Sequence, residues 1–253
     1  MSAAVLKAVS DYYVGGVARG GVWLAVAYDE SGYDHAAVLE GVGELWTRYE
    51  ETAAAVAIDV PIGLETDSAP RPNEAAAAEY LGERQRAIVP APVREAARKQ
   101  RYPTAARVHE RKTGDELPRA AFERSRLVTA VDEFLTTIDE ARSVFVEAHP
   151  ELCYRAFAGE PLAERAEVAA GYAERMRVLA EFDRDAPPTV QSVAEATGGH
   201  EVPIPAVLDA GALALTVRPG AGERRSLPAD PPTDEEGLPM RCVYRSEAPL
   251  TAE

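Results

Sequence analysis

The stretch YYVGGVARGGVWLAVAYD, Tyr12 to Asp29, places four glycines within seven residues ahead of an apolar run. Three readings compete: a loop that cradles a phosphate, a tight hairpin, or an altered copy of another motif. A phosphate loop hands its glycines to a helix N-terminus, and a P-loop adds Gly-Lys-Ser/Thr. Here no such lysine follows, and VWLAVAY (Val22 to Tyr28) has the branched and aromatic content of a strand. A hairpin is therefore expected, with glycines supplying the positive φ that its turn needs.

Working outward, Tyr12 to Val17 is the first strand of that hairpin. DESGYD is a turn, and HAAVLEGV (His35 to Val42) is a third strand. GELWTRYEE is a short amphipathic helix with Leu45, Trp46 and Tyr49 on one side. AAAVAIDVPIG is apolar without alternation, as a strand buried on both faces would be, and it ends at Asp59 and Pro61. Residues 72 to 139 carry helical spacing broken by AIVPAP and TGDELP. SVFVEAHPE (Ser143 to Glu151) reads as a second buried strand, stopped by Pro150. ELCYRAF, GYAERMRVLAEF and PIPAVLDAGALALTV are helices, the last bearing one acid, Asp209. Two short strands flank a Pro-rich acidic loop in the tail. With no repeat and no clean linker, one domain over residues 1–253 is expected. Residues 12–60 form its β-rich half, 72–140 a mostly helical insertion, and 143–245 the remaining strand and helices.

The 253 residues are 46% hydrophobic, enough for a sizeable core. No long uncharged apolar window predicts a membrane span, and MSAAVLKAVSDYYVGG lacks the pattern of a signal peptide. A cytoplasmic location is expected, with Cys153 and Cys242 as buried reduced thiols. The net charge is −15, and Lys7, Lys99 and Lys112 are the only lysines. So acidic, Lys-poor and Ala-rich a chain resembles proteins of salt-accumulating archaea, where salt screens self-repulsion. No general basic nucleic-acid surface is expected from that balance. A nucleic-acid substrate stays compatible with it if a metal ion supplies positive charge locally.

Three acids end or interrupt apolar segments: Asp59, Glu147 and Asp209. A carboxylate so placed needs a cation or a hydrogen-bond donor. Carboxylates converging at strand ends form the oxygen-ligand site that Mg²⁺ or Mn²⁺ prefers, and two such ions can clamp a phosphodiester. The competing reading is that each acid is a cap or the partner of one of the 24 arginines. Arg84, Arg86 and Arg94 are candidates for a phosphate-binding face, against the plainer role of solvating an acidic surface. His35, His109 and His200 have no ligand spacing and are expected at the surface or at helix ends.

The segments AIDVPIGL (57–64), VEAHPELCYRAF (146–157) and VLDAGALAL (207–215) resemble those of the DUF429 family of predicted RNase H-like nucleases. LGERQRAIVPAPVREA, GYAERMRVL and GLPMRCVYR support the resemblance, which runs from about Tyr13 to Arg245. It implies an α/β fold with an RNase H-like mixed sheet: an antiparallel β-meander, then parallel strands alternating with helices, here with a helical insertion. It also implies a divalent-metal-dependent nuclease using Mg²⁺ or Mn²⁺. Asp59, Glu147 and Asp209 match the family acids as catalytic residues and metal ligands, while His149 and Glu151 match its HPE segment as further catalytic candidates.

The chain departs from the family pattern at several polar positions. Aligned on Arg19-Gly20-Gly21, Gly16 stands where the family's first-strand Asp belongs and Val22 where its Trp belongs. Arg71-Pro72-Asn73-Glu74 replaces R-x-C-D, Pro205-Ala206 replaces paired acids, and Ala166 and Glu167 replace a lysine pair. Two readings follow. Asp11, Asp29 or Glu74 completes the metal site and leaves an impaired nuclease, or catalysis is lost and the fold serves as a binding or structural protein.

Overall fold

The structure is a computed structural model and describes residues 11–251. The opening stretch forms β1 (Tyr12–Arg19) and β2 (Val22–Asp29), antiparallel, with Arg19 opposite Val22. Gly20 and Gly21 make the two-residue turn at φ +62° and +82°. A pair of left-handed residues matches the twist of the flanking strands, and glycine adopts it without Cβ strain. The hairpin expected from the sequence is therefore present, and each strand runs slightly further than its apolar core.

β3 (Gly32–Leu39) adds antiparallel to β2, starting earlier than expected because Glu30 and Ser31 alone turn the chain. Helix α1 (Val42–Tyr49) then leads to β4 (Ala53–Ile58), which pairs parallel with β1. β5 (Phe145–Glu147) pairs parallel with β4 and completes a five-stranded sheet in the order β3-β2-β1-β4-β5. An antiparallel meander continued by parallel strands is the RNase H-like arrangement, as expected. β5 is only three residues long. The start of its predicted segment, Ser143 and Val144, belongs instead to α6 (Asp139–Val144), whose first turn carries Asp139 and Glu140.

The helices between β4 and β5 are α2 (Pro72–Leu81), α3 (Arg94–Ala97), α4 (Tyr102–Thr113), α5 (Arg119–Thr137) and α6, with a 3-10 turn at Gly82–Ala87. Beyond β5 come α7 (Pro150–Ala158), α8 (Ala169–Phe182), α9 (Ala186–Ala196) and α10 (Ile204–Val217). α9 was not anticipated. Its APP start reads as a breaker, yet proline is tolerated in a helix's first turn, where the backbone N–H has no partner to lose. β6 (Glu223–Leu227) and β7 (Cys242–Ser246) form a separate hairpin.

Strand alternation divides the core into two layers. One face of the sheet presents Val17, Leu24, Val26, Ala57 and Val146 to α10. The other presents Val14, Trp23, Val56, Ile58 and Phe145 to α1 and α5. The two mid-strand glycines serve these layers rather than the turn. A Cβ on Gly15 would overlap the carbonyl oxygen of Ala210 and stand 2.5 Å from the backbone nitrogen of Ala214. The α10 backbone thus lies directly on β1. A Cβ on Gly16 would point the other way, 3.2 Å from both Ile58 Cγ2 and Leu45 Cδ2. The place of the expected first-strand Asp is closed over by apolar side chains.

Gly15→Ala should destabilise the protein by about 3 kcal/mol, because the backbone of α10 cannot yield as a flexible side chain could. Gly43→Ala, exposed in the first turn of α1 with nothing within 4 Å of the added Cβ, should leave stability unchanged or raise it by up to about 1 kcal/mol. Denaturant unfolding at fixed salt measures both.

Candidate functional site

The site lies where β4 and β5 end. Asp59 follows β4 with its side chain 3% exposed, and Arg19 at the end of β1 reaches its Oδ2 at 2.6 Å. Arg124 of α5 donates to the Asp59 carbonyl at 2.5 Å and stands 3.9 Å from Oδ2. Asp209 of α10 lies within electrostatic reach of Arg19 and Asp59. Desolvation pushes its carboxyl from the ordinary 3.8 up to about 7; Arg19 and Arg175 oppose this, and Asp59 and Glu151 reinforce it.

Glu147 ends β5 and, by strand alternation, belongs to the other face of the sheet. Arg71 holds it through two bonds, Nη1 to Oε2 at 2.8 Å and Nη2 to Oε1 at 2.7 Å. The Ile62 amide donates to Oε2 at 2.8 Å and Asn73 Nδ2 to Oε1 at 3.1 Å. Burial pushes the Glu147 carboxyl up, while the Arg71 guanidinium and the Ile62 amide hold it down. Arg71 is itself buried. It also donates to Glu74 Oε1 and to the carbonyls of Ile62 and Gly63, so one guanidinium ties the start of α2 to the ends of β4 and β5.

Glu151, in the first turn of α7, accepts from Arg84 at 2.8 Å and from Arg175 at 2.5 Å. His149 occupies the N-cap position of α7, and its side chain makes no capping hydrogen bond there among the described residues. Burial lowers its pKa and favours the neutral ring, with Glu151 and Asp59 acting in the opposite sense. Asp59, Arg71, Asn73, Arg124, Glu147 and His149 line one cavity of about 30 Å³, room for a water or two. Asp59 Oδ1, Asn73 Oδ1 and His149 Nδ1 are buried there without a hydrogen-bond partner among the described residues.

The structure brings Asp59, Glu147 and His149 to that cavity, sets Asp209 within electrostatic reach of Asp59, and ties Glu151 to two arginines. It does not gather a metal-ligand cluster. Among the described residues, no three His, Cys, Asp or Glu side chains lie close enough together to hold an ion. Both Glu147 oxygens and one Asp59 oxygen already meet guanidinium groups, so the carboxylate set expected for a pair of divalent ions does not fit that role as arranged.

None of the substitutes for the missing first-strand acid reaches the site as a free ligand. Asp29 caps the β2–β3 turn through Ser31 and Gly32, at the opposite end of the sheet. Asp11 precedes β1 at that same end. Glu74 is taken by Arg71 and the Ala91 amide. Arg94 is no phosphate-binding residue: it is buried, paired with Asp132 at 2.8 Å and Asp234 at 2.5 Å. His109, expected at the surface or a helix end, is buried and faces the Val93 amide. Cys153 and Cys242 are free and buried, as expected, and burial pushes the Cys153 thiol up to about 12.

Sequence reading missed Arg19, Arg71 and Arg124 as the partners of the acids. The available signal was Arg71 beside Asn73 and Glu74, three polar residues at the start of a small-residue helix.

Arg71→Leu leaves Glu147 and Glu74 buried without their guanidinium and should cost about 3–5 kcal/mol. The double variant Arg71→Leu/Glu147→Gln should recover part of that loss, as chemical denaturation will show. Asp209 generates a pH dependence of defined sign. Its folded-state pKa is raised, so its contribution is fully present below the ordinary value of 3.8 and is lost as pH rises to about 7. Asp209→Asn should flatten the fall in stability across that window, measured by denaturation at successive pH values.

Comparison with curated proteins and with solved structures found no match. The family model described as "Protein of unknown function (DUF429)" matches residues 15–233. That span includes the glycine hairpin, both parallel strands, the helical insertion and α10, and the chain belongs to this family.

Proposed function

We propose that this chain is a non-hydrolytic RNase H-like protein that works by binding, with its acidic site held in arginine pairs. The observation that carries this reading is the bidentate grip of Arg71 on Glu147, repeated in looser form by Arg19 on Asp59. A guanidinium supplies fixed positive charge and a planar fork of donors. It stabilises a buried carboxylate as a metal ion would, but it brings no bound water whose pKa it can lower. Gly16 supports the same reading, since an acid there would face Ile58 and Leu45 rather than a polar cleft.

A second reading, a divalent-metal-dependent nuclease on Asp59, Glu147 and Asp209, is favoured by one observation. Asp59 Oδ1, Asn73 Oδ1 and His149 Nδ1 have no partner among the described residues beside the same small cavity, and one bound Mg²⁺ or Mn²⁺ would satisfy such acceptors.

Incubation with single-stranded, duplex and hybrid nucleic acids in Mn²⁺ or Mg²⁺, at high and low salt, separates the two. The binding reading predicts no cleavage beyond that of an Asp59→Asn/Glu147→Gln variant. Metal-dependent cleavage by the native chain that this double substitution abolishes would overturn it.

A further inference from the structure

The chain-wide charge of −15 hides a sharp segregation. Residues 84–126 carry twelve Arg and Lys against five Asp and Glu, a net +7, while the rest carries fifteen against thirty-seven, a net −22. Two of the three lysines, Lys99 and Lys112, fall in this segment. It comprises the end of the 3-10 turn, α3, α4 and the first part of α5, all within the insertion between β4 and β5.

Several of these cations are not consumed by the fold. Arg86, Arg101, Arg107 and Arg126 are exposed and have no ion pair among the described residues. Lys99, Arg111 and Lys112 share a single exposed carboxylate, Glu95, at 3.5–3.6 Å. In a protein with 42 acids, cations left this free mark a surface built for charge supplied from outside.

The same surface has a concave part. A cavity of about 650 Å³ opens between the end of α3 and α5, walled by Lys99, Arg126 and Arg98, the last of which also meets Asp132 at 3.3 Å. Phe122 and Thr129 line it, and Glu123 and Glu133 are its acids. Thr129 Oγ1 is buried without a hydrogen-bond partner among the described residues. Phe122 meets Tyr102 edge-on at 5.5 Å, and Arg119 covers Tyr102 at 4.6 Å. Arg126, free of ion pairs among the described residues, with Arg98 and Lys99 beside it and the Phe122 ring in the wall, supplies the positive groove and aromatic surface that a single-stranded nucleic acid uses.

We infer that the helical insertion binds a single strand of nucleic acid in the groove between α3 and α5, with Arg98, Lys99 and Arg126 on its phosphates. The groove lies on the insertion and not at the β4–β5 cavity, so the inference stands whether or not the acid site hydrolyses anything.

The test is fluorescence anisotropy of a labelled single-stranded oligonucleotide, in EDTA to exclude cleavage, across a salt series. The native chain should bind, with log affinity falling linearly with log salt. Arg98→Gln/Arg126→Gln should weaken binding at least tenfold and reduce the salt slope by about 2. Arg126→Glu, which has no ion pair among the described residues to lose, should weaken it as well with an unchanged melting curve. Arg165→Gln, exposed on the loop before α8, should bind as the native chain does. No binding by the native chain at low salt, or equal binding by the groove variants, overturns the inference. It is also overturned if the oligonucleotide fails to bind and sedimentation shows the groove substitutions dissolving a dimer, which would assign the groove to a second copy of the chain.

Discussion

The architecture depends on a backbone-to-backbone approach: α10 lies on β1 at Gly15, where no Cβ can be accommodated. The placement of Asp209 follows from that contact. The contact draws an almost wholly apolar helix against the centre of the sheet and leaves Asp209, its only acid, beside the charges at the ends of β1 and β4. Gly16 completes the arrangement by letting Ile58 and Leu45 close over the opposite face. Adjacent glycines thus let a strand be approached from both sides at one level.

At the strand ends the dominant interaction is between arginine and carboxylate. Asp59, Glu147 and Glu151 each meet guanidinium groups that arrive from distant segments, and Arg71 alone links α2, β5 and the loop after β4. Such buried pairs confer little net stability over apolar packing, but they are costly to break one partner at a time. They hold the polar cleft in one arrangement. The unpartnered atoms of Asp59, Asn73 and His149 are the part of it that remains receptive.

Much of the fold was legible in the sequence because local chemistry dictates it. The paired turn glycines, the two unalternating apolar runs and the Ala-rich last helix each report their own environment. What was not legible depends on context. β5 pairs over only three residues, and Ser143 and Val144 follow the helix before it. α9 begins with prolines that read equally well as a loop. Asp59 and Glu147 were recognisable as buried, but their partners were not, since Arg71 and Glu147 are separated by 76 positions. Nor could spacing tell that Asp59 and Glu147 leave the sheet toward different faces. The charge segregation of residues 84–126 was present in the sequence all along and was masked by averaging over the chain.

Guanidinium groups occupy the acids of this site, Arg19 on Asp59 and Arg71 on Glu147. Titration of Mn²⁺ into the native chain, followed by the electron paramagnetic resonance signal of the free ion, tests most directly whether those pairs leave an ion site. If the arginine pairs leave no ion site, the free-ion signal rises in step with added Mn²⁺, and Asp59→Asn and Glu147→Gln change nothing. Stoichiometric loss of that signal in the native chain, restored by either substitution, would contradict that reading.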